Sequence, residues 1–543
     1  MTKQVATLAV WVLSLPLAWA QQPAIGDNAC AKLVSLSLPT AKIVSAQMVA
    51  AGVFTPPGTT QLNPAEKAIY AGVPAFCRVV LMDTPTADSA IPIEVWMPAR
   101  GWNGKFRGMG NGGFAGSIDY GGLAVAVTEG YSGGATDTGH SGAAYDASWA
   151  LGHPEKVIDY GYRAIHEMTV KSKAIVEAYY AEPAKRNYFA GCSNGGREAL
   201  MEAQRYPADY DGIISGAPSY NATHVISNFL YNSRALTLDP GDYIPSAKLS
   251  AIHDAVLAAC DGADGVADGV INDPRNCHFI PATLVCKGPE TDTCLTAKQA
   301  HTLDVLYAGG HDSKGNLILP GYLPGSELGA NGWGPWIVGP APGQSGISVF
   351  ALQYFTNMVY EKRDWDYKKA VIDDALKAAV EKTAHALDAT DPNLRPFAAR
   401  GGKLILYHGW NDPTYSALNT VNYYNDVRKV TGPRETDSFV RLYLVPGMQH
   451  CGFGPGAWYF DQAGLPPAAL PDDARHDINL ALEAWVEKGL APESMIAAKF
   501  AEKEPFTQVL MTRPVCAFPL EVRYNGTGDT NDAANFTCAS AAR

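Results

Sequence analysis

An α/β fold, with a mainly parallel sheet covered by helices and one large insertion, is predicted by three features of the sequence. Short apolar, strand-like runs alternate with helix-like segments between residues 91 and 218. The same strand texture returns at 402–409 and 441–446. Between these blocks, residues 219–390 lose the alternation; they carry four cysteines, many Gly, Pro and Asn turns, and aromatics at 332–336 and 350–360. Alternating strands and helices build a parallel sheet with helices on its faces. A chain of 543 residues exceeds what one hydrophobic core supports. We therefore expect a discontinuous main domain, 21–218 with 391–543, and an inserted lid domain at 219–390.

Residues 1–20 read as a signal peptide. Lys3 opens the segment, 5–17 is mostly apolar, and Ala18-Trp19-Ala20 forms a small-x-small cleavage site before Gln21. The apolar run is short for a membrane span, which needs about 20 residues. A secreted or periplasmic location follows as the expectation. The formal net charge of −12 and the lack of a Lys/Arg-rich run argue against nucleic-acid or membrane-surface partners. Export also sets how the ten cysteines are read, because an even count in an oxidising compartment favours disulfides. No Cys-x-x-Cys pair occurs, which argues against a zinc ribbon or a thioredoxin-type site. Proximity in sequence suggests Cys260–Cys277, Cys286–Cys294 and Cys516–Cys538 as local loops, but sequence alone leaves the pairing open.

In chain order, 91–97 alternates like a strand, and 102–116 reads as a strand running into a glycine-rich loop. No helix or ribose-binding acid follows in dinucleotide-binding fashion, so an oxyanion loop is the preferred reading. Residues 123–128 (Leu-Ala-Val-Ala-Val-Thr) are expected as a buried strand, with a polar loop from Thr136 to His140 after it. Helical periodicity from 159 to 180 nominates Ile165, Met168, Ile175 and Tyr179 for the core. Then comes Gly191-Cys192-Ser193-Asn194-Gly195-Gly196, between the apolar run 188–190 and the helix-like 197–204. A serine on a sharp strand-to-helix turn presents its hydroxyl at the sheet edge, facing the helix N-terminus. Residues 210–218 form another short strand, and the C-terminal stretch with Cys516 and Cys538 reads as a disulfide-tied surface tail.

Two later loops complete a pattern. Asp412 follows the strand ending at His408, and His450 follows the strand at 441–446. The order Ser193, Asp412, His450, each after a strand, is that of an α/β-hydrolase triad, in which histidine takes the serine proton and aspartate orients the imidazole. Cys192 and Cys451 flank the nucleophile and the base, so a bridge between them is favoured; the chain-entropy account gives such a bridge roughly 4–5 kcal/mol. Tyr415, just after the acid, is a candidate for the substrate pocket. A second site is read at Asp261, Asp264 and Asp268, whose carboxylates with the carbonyls of Val266 and Val270 suit a calcium ion in a structural role. The spacing departs from an EF-hand and lacks its final glutamate.

Together, Gly-Cys-Ser-Asn-Gly-Gly-Arg-Glu, Cys-Asp-x-x-Asp-Gly-x-x-Asp-Gly, Leu-Tyr-His-Gly-x-x-Asp and Val-Pro-Gly-Met-x-His-Cys resemble the tannase and feruloyl esterase family, which includes a mono(2-hydroxyethyl) terephthalate hydrolase. The resemblance runs from about Cys30 to Cys538. It implies an α/β-hydrolase fold with a lid, the Ser193–Asp412–His450 triad and the calcium loop. It implies Cys30–Cys77, Cys192–Cys451, Cys260–Cys277, Cys286–Cys294 and Cys516–Cys538 as bridges. The implied oxyanion donors are the backbone N–H groups of Gly113 and Asn194. The implied substrates are small aromatic esters or phenolic esters on plant polymers, with feruloyl or galloyl esters ahead of a terephthalate monoester. A serine peptidase on the same fold and a non-catalytic phenolic- or polysaccharide-binding module are the rival readings.

Overall fold

The computed structural model describes residues 27–59, 61–462, 470–501 and 507–540; the expected signal peptide lies outside them. Nine strands form the main sheet: β1 (Ala41–Val49), β2 (Phe76–Asp83), β3 (Ile91–Pro98), β4 (Lys105–Met109), β5 (Ser132–Thr136), β6 (Arg186–Cys192) and β7 (Gly212–Gly216), then, beyond the hairpin β8 (Gly309–His311) and β9 (Leu317–Pro320), β10 (Lys403–Gly409) and β11 (Val440–Val445). Their order across the sheet is β1-β2-β3-β5-β4-β6-β7-β10-β11. Strands β1, β2, β3 and β5 pair antiparallel, and β5 through β11 pair parallel. This is the α/β-hydrolase arrangement, and it places β6, β10 and β11 within one neighbourhood of four sheet positions, with β7 between β6 and β10.

The period-two geometry of strands sends alternate residues to opposite faces. Leu404 and Leu406 face a core shared with the helices Ala164–Tyr180 and Asn194–Arg205. Ile405 and Tyr407 face the other core, with the helices Tyr120–Thr128 and Ile478–Lys488. Complete burial of each such side chain contributes about 1.5–3 kcal/mol, and the sheet is therefore fixed from both faces. The four core positions read from the helical period, Ile165, Met168, Ile175 and Tyr179, are all buried.

Two expectations are corrected. Residues 123–128 are helical, within Tyr120–Thr128, and the strand comes later as β5. A continuous apolar run has the same signature in a buried helix as in a buried strand; Asp119 settles the matter by capping the helix through the Gly122 N–H at 2.8 Å. The C-terminal stretch is more than a surface tail. Strand β13 (Val509–Cys516) pairs with β12 (Ser494–Phe500), and Phe518 N–H donates to Leu442 O in β11 at 2.8 Å. Beyond it β14 (Leu520–Tyr524) and β15 (Phe536–Ser540) close a hairpin.

Between β7 and β10 the chain contributes no strand to the main sheet. It forms helices, among them Ala222–Thr237, Gly346–Tyr354 and Ile372–Leu387, and the hairpin β8–β9. Their shared core, with Phe229, Leu230, Trp333, Tyr354 and Phe355, also takes in Phe114, Tyr160 and Tyr415 from the sheet-bearing part. All ten cysteines are bridged, as Cys30–Cys77, Cys192–Cys451, Cys260–Cys277, Cys286–Cys294 and Cys516–Cys538. Among the described residues no helix is long and apolar enough to cross a membrane.

Candidate active site

Ser193 sits between β6 and the helix Asn194–Arg205 with φ 65° and ψ −118°. That left-handed backbone is costly for a serine and persists where the surroundings enforce it. The close approach of the turn to its neighbours is possible only with glycine. A Cβ on Gly191 would lie 2.6 Å from Gly195 O, and one on Gly196 would lie 2.2 Å from Gly216 O.

The structure brings Ser193, Asp412 and His450 together. Asp412, at the end of β10, is an acceptor only, so the His450 proton sits on Nδ1 and is donated to Asp412 Oδ2 at 2.7 Å. Nε2 is left to accept the Ser193 hydroxyl at 2.9 Å. Burial pushes the Asp412 carboxyl up, but electrostatic attraction to the His450 imidazole and hydrogen bonds from His408 and His450 outweigh it and hold the group below the usual carboxylate range. The Thr414 N–H adds a bond to Oδ1 at 2.7 Å. Such a relay can deprotonate a serine as it attacks a carbonyl carbon and can return that proton to a leaving group. The Cys192–Cys451 bridge, with Cα atoms 5.9 Å apart, ties the serine turn to the histidine loop.

His408 carries a role that sequence reasoning left unassigned. Its Nε2–H donates to Asp412 Oδ2 at 3.0 Å, and its Nδ1 accepts from the Thr420 hydroxyl at 2.7 Å. Glu198 is a second. Fully buried, it accepts the Asn111 N–H at 2.8 Å on one oxygen and the Asn194 side-chain amide at 2.8 Å on the other. Arg197 donates to Asn194 Oδ1 and to the carbonyls of Tyr160 and Gly161. Glu198 thus couples the Gly110–Gly113 loop to the start of the helix. Both residues lie inside motifs quoted above, His408 in Leu-Tyr-His-Gly and Glu198 in Gly-Gly-Arg-Glu; their positions were visible but their partners were not. The polar loop after β5 props the same glycine loop, with the His140 ring donating to Phe114 O at 2.7 Å.

Gly113 and Asn194 line one cavity with Ser193 and His450. Its volume of 300 Å³ places it at the small end for ligand pockets, about 300–1,000 Å³. Most of its wall is apolar: Ile226, Phe229, Trp336, Phe350 and Leu387 come from the insertion. Tyr415 lines it too, with its hydroxyl donating to Ala217 O at 2.5 Å and its ring 5.4 Å from that of His450. Polar atoms are few. Thr414 Oγ1 is buried there without a hydrogen-bond partner, and Ser219 stands nearby. Arg197 is the one cationic side chain among the described residues of the wall, and its donors are committed to the backbone and Asn194.

The aspartate loop lies apart from this cavity, clasped by Cys260–Cys277. Asp261 Oδ2 accepts the Gly269 N–H at 3.0 Å, while its Oδ1 is buried with no hydrogen-bond partner. Burial, reinforced by the charges of Asp268 and Asp261, raises the Asp264 carboxyl to about 6 although backbone N–H groups oppose the rise. Asp268 pairs with Arg513 of β13 at 2.5 Å. An orphaned carboxylate oxygen among like charges, in an all-oxygen donor set, fits a hard cation.

Comparison with known proteins agrees with the geometry. A family model described as tannase and feruloyl esterase matches residues 77–539. An uncharacterized esterase of Xanthomonas campestris pv. campestris is 41% identical, over 96% of this chain and 92% of its own. A probable feruloyl esterase B-2 of Aspergillus terreus is 33% identical, over 89% of this chain and 90% of its own. The crystal structure of feruloyl esterase B from Aspergillus oryzae superposes with a TM-score of 0.85 at 27% identity, covering 94% of this chain and all of that one. With a family match over most of its length and an α/β-hydrolase sheet beneath the site, this chain belongs to the tannase and feruloyl esterase family and is a carboxylic ester hydrolase.

Proposed function

We propose that the protein is an exported serine esterase that cleaves hydroxycinnamoyl esters through an acyl-enzyme. The observation that carries this reading is His450, which joins Ser193 to Asp412 at the mouth of a narrow, aromatic-walled cavity. Ser193 Oγ attacks the ester carbonyl and His450 takes its proton. The oxyanion forms against the backbone N–H groups of Gly113 and Asn194, donors of a kind each worth about 10²–10³ in rate. His450 then protonates the departing alcohol, and a water activated by the same imidazole releases the acid. Trp336, Phe350 and Phe229 offer flat apolar faces to the acyl ring, with Thr414 and Ser219 as the polar partners at hand.

The wall favours ferulate over gallate, because three ring hydroxyls would meet mostly carbon, and unpaired buried hydroxyls are costly. A terephthalate monoester would need a cation for its free carboxylate, and Arg197 is already committed. Calcium bound by Asp261, Asp264, Asp268 and the carbonyls of Val266 and Val270 would hold the base of the insertion, a structural role that supplies charge balance and no chemistry. The five disulfides support an oxidising destination, secreted or periplasmic. The test is turnover of methyl ferulate, methyl gallate and mono(2-hydroxyethyl) terephthalate by the wild type and by Ser193→Ala. Ferulate should lead in kcat/KM and the variant should be inert but folded; a lead for gallate or terephthalate, or an active variant, overturns the reading.

A further inference from the structure

The helix that begins at Ser193 ends beside a second group of ligating side chains. His166 stands on the helix Ala164–Tyr180, Glu202 on the helix Asn194–Arg205, and Asp209 just ahead of β7. One ligand atom from each lies within 4.8 Å of the other two. His166 Nδ1 and Asp209 Oδ2 are already 2.7 Å apart, and the His166 ring is held flat against Tyr206, with centroids 3.7 Å apart.

Glu202 is the anomaly. It is 1% exposed, and neither carboxylate oxygen has a hydrogen-bond partner. A buried carboxylate with both oxygens unsatisfied is rare and calls for a compensating charge. What faces it is another carboxyl group, that of Asp209, and burial, the Asp209 charge and the close contact with that carboxyl together push the Glu202 carboxyl well up. The Lys173 ammonium opposes that rise through its charge, but it is hydrogen-bonded to the Asp209 backbone oxygen and not to Glu202.

We propose that His166, Glu202 and Asp209 form a binding site for a first-row divalent cation of the zinc class. One imidazole nitrogen and two carboxylates suit zinc, cobalt or manganese; the imidazole disfavours calcium and magnesium, which prefer oxygen. Ligands at about 2.0–2.2 Å from an ion lie no more than about 4.4 Å from one another, so small side-chain rotations close the cluster. Binding at Nδ1 requires the proton between His166 and Asp209 to move to Nε2, so that the imidazole stays neutral with one N–H, and half-buried His166 gives the ion its route in. Glu202 lies roughly 13 Å along the helix from Ser193 at about 1.5 Å per residue. The ion would therefore pin the far end of the nucleophile helix to its neighbour and take no part in ester chemistry.

The test uses the full chain, stripped with chelator and reloaded with calcium so that the aspartate loop is saturated. Zn²⁺ is then titrated calorimetrically, and Co²⁺ is followed by its visible d–d absorption. One equivalent of Zn²⁺ should bind, at least 10-fold more weakly in Glu202→Gln and in His166→Gln, and Zn²⁺ should raise the wild-type Tm but not that of either variant. His166 is half-buried and its replacement spares the fold, while Glu202→Gln is isosteric. Zinc binding unchanged in both variants, or no equivalent bound by the wild type, as a proton shared between Glu202 and Asp209 would produce, overturns the proposal.

Discussion

Replacing Glu198 with glutamine separates two consequences of one buried carboxylate. Burial raises this group from 4.5 to about 7, against the opposing charge of Arg197 and hydrogen bonds from Asn111 and Asn194. The folded protein thus holds the proton more tightly than the unfolded chain does. As pH rises from 4.5 the unfolded state releases it first, so stability falls through that window until the folded group ionises near 7. At about 1.4 kcal/mol per pH unit, the ionised form costs about 3 kcal/mol. Glutamine abolishes that term. It also offers a single acceptor to two donors, so either the Asn111 N–H or the Asn194 amide loses its partner. A lost bond to a charged group is worth about 1.5–3 kcal/mol, or about 10–100-fold in rate where it positions the oxyanion donors. Glu198→Gln should therefore lower kcat on methyl ferulate by about 10-fold or more with little change in KM. Urea unfolding at pH 5 and pH 8 should show a flatter pH dependence than the wild type. A variant with wild-type kcat and an unchanged difference between the two pH values would refute the reasoning.

His408→Phe removes the second donor to Asp412; the carboxyl should rise toward its ordinary range, the acid limb of the kcat profile should move to higher pH, and kcat should fall about 10-fold. Chelation should lower Tm by several degrees while leaving the initial rate nearly intact, measured by scanning calorimetry beside a timed assay; immediate loss of turnover without a Tm change would assign the cation to catalysis. Paired Cys192→Ser and Cys451→Ser substitutions should cost about 5 kcal/mol in denaturant unfolding, the chain-entropy estimate for so long a loop. Activity should fall with them as the serine and histidine loops lose their common anchor.

What could be read from the chain followed strand ends. Ser193, Asp412 and His450 each sit where a short apolar run stops at a loop, and the sheet brings those ends together because β6, β7, β10 and β11 are neighbours. Tyr415 was legible by nearness to Asp412, whereas Gly113 came from the family resemblance and the glycine-rich loop that holds it. The misreading at 123–128 came from a run with no polar face to set its period, next to a strand, β5, made of Ser, Gly, Ala and Thr with no large apolar residue to announce it. His408 and Glu198 stood in plain view, but their roles depend on a partner 4 residues away across a turn in one case and 87 away in the other. The cluster of His166, Glu202 and Asp209 has no spacing to notice, since its members are gathered only by packing.

The insertion between β7 and β10 divides the site by place in the chain. Ser193, Asp412 and His450 stand at strand ends of the sheet, while Phe229, Trp336, Phe350 and Leu387, which line the cavity beside them, come from the inserted segment. A change in taste for substrate can then accumulate in one contiguous stretch of gene without disturbing a single strand register. Grafting that stretch between relatives should carry selectivity with it and leave the machinery of hydrolysis behind, unaltered.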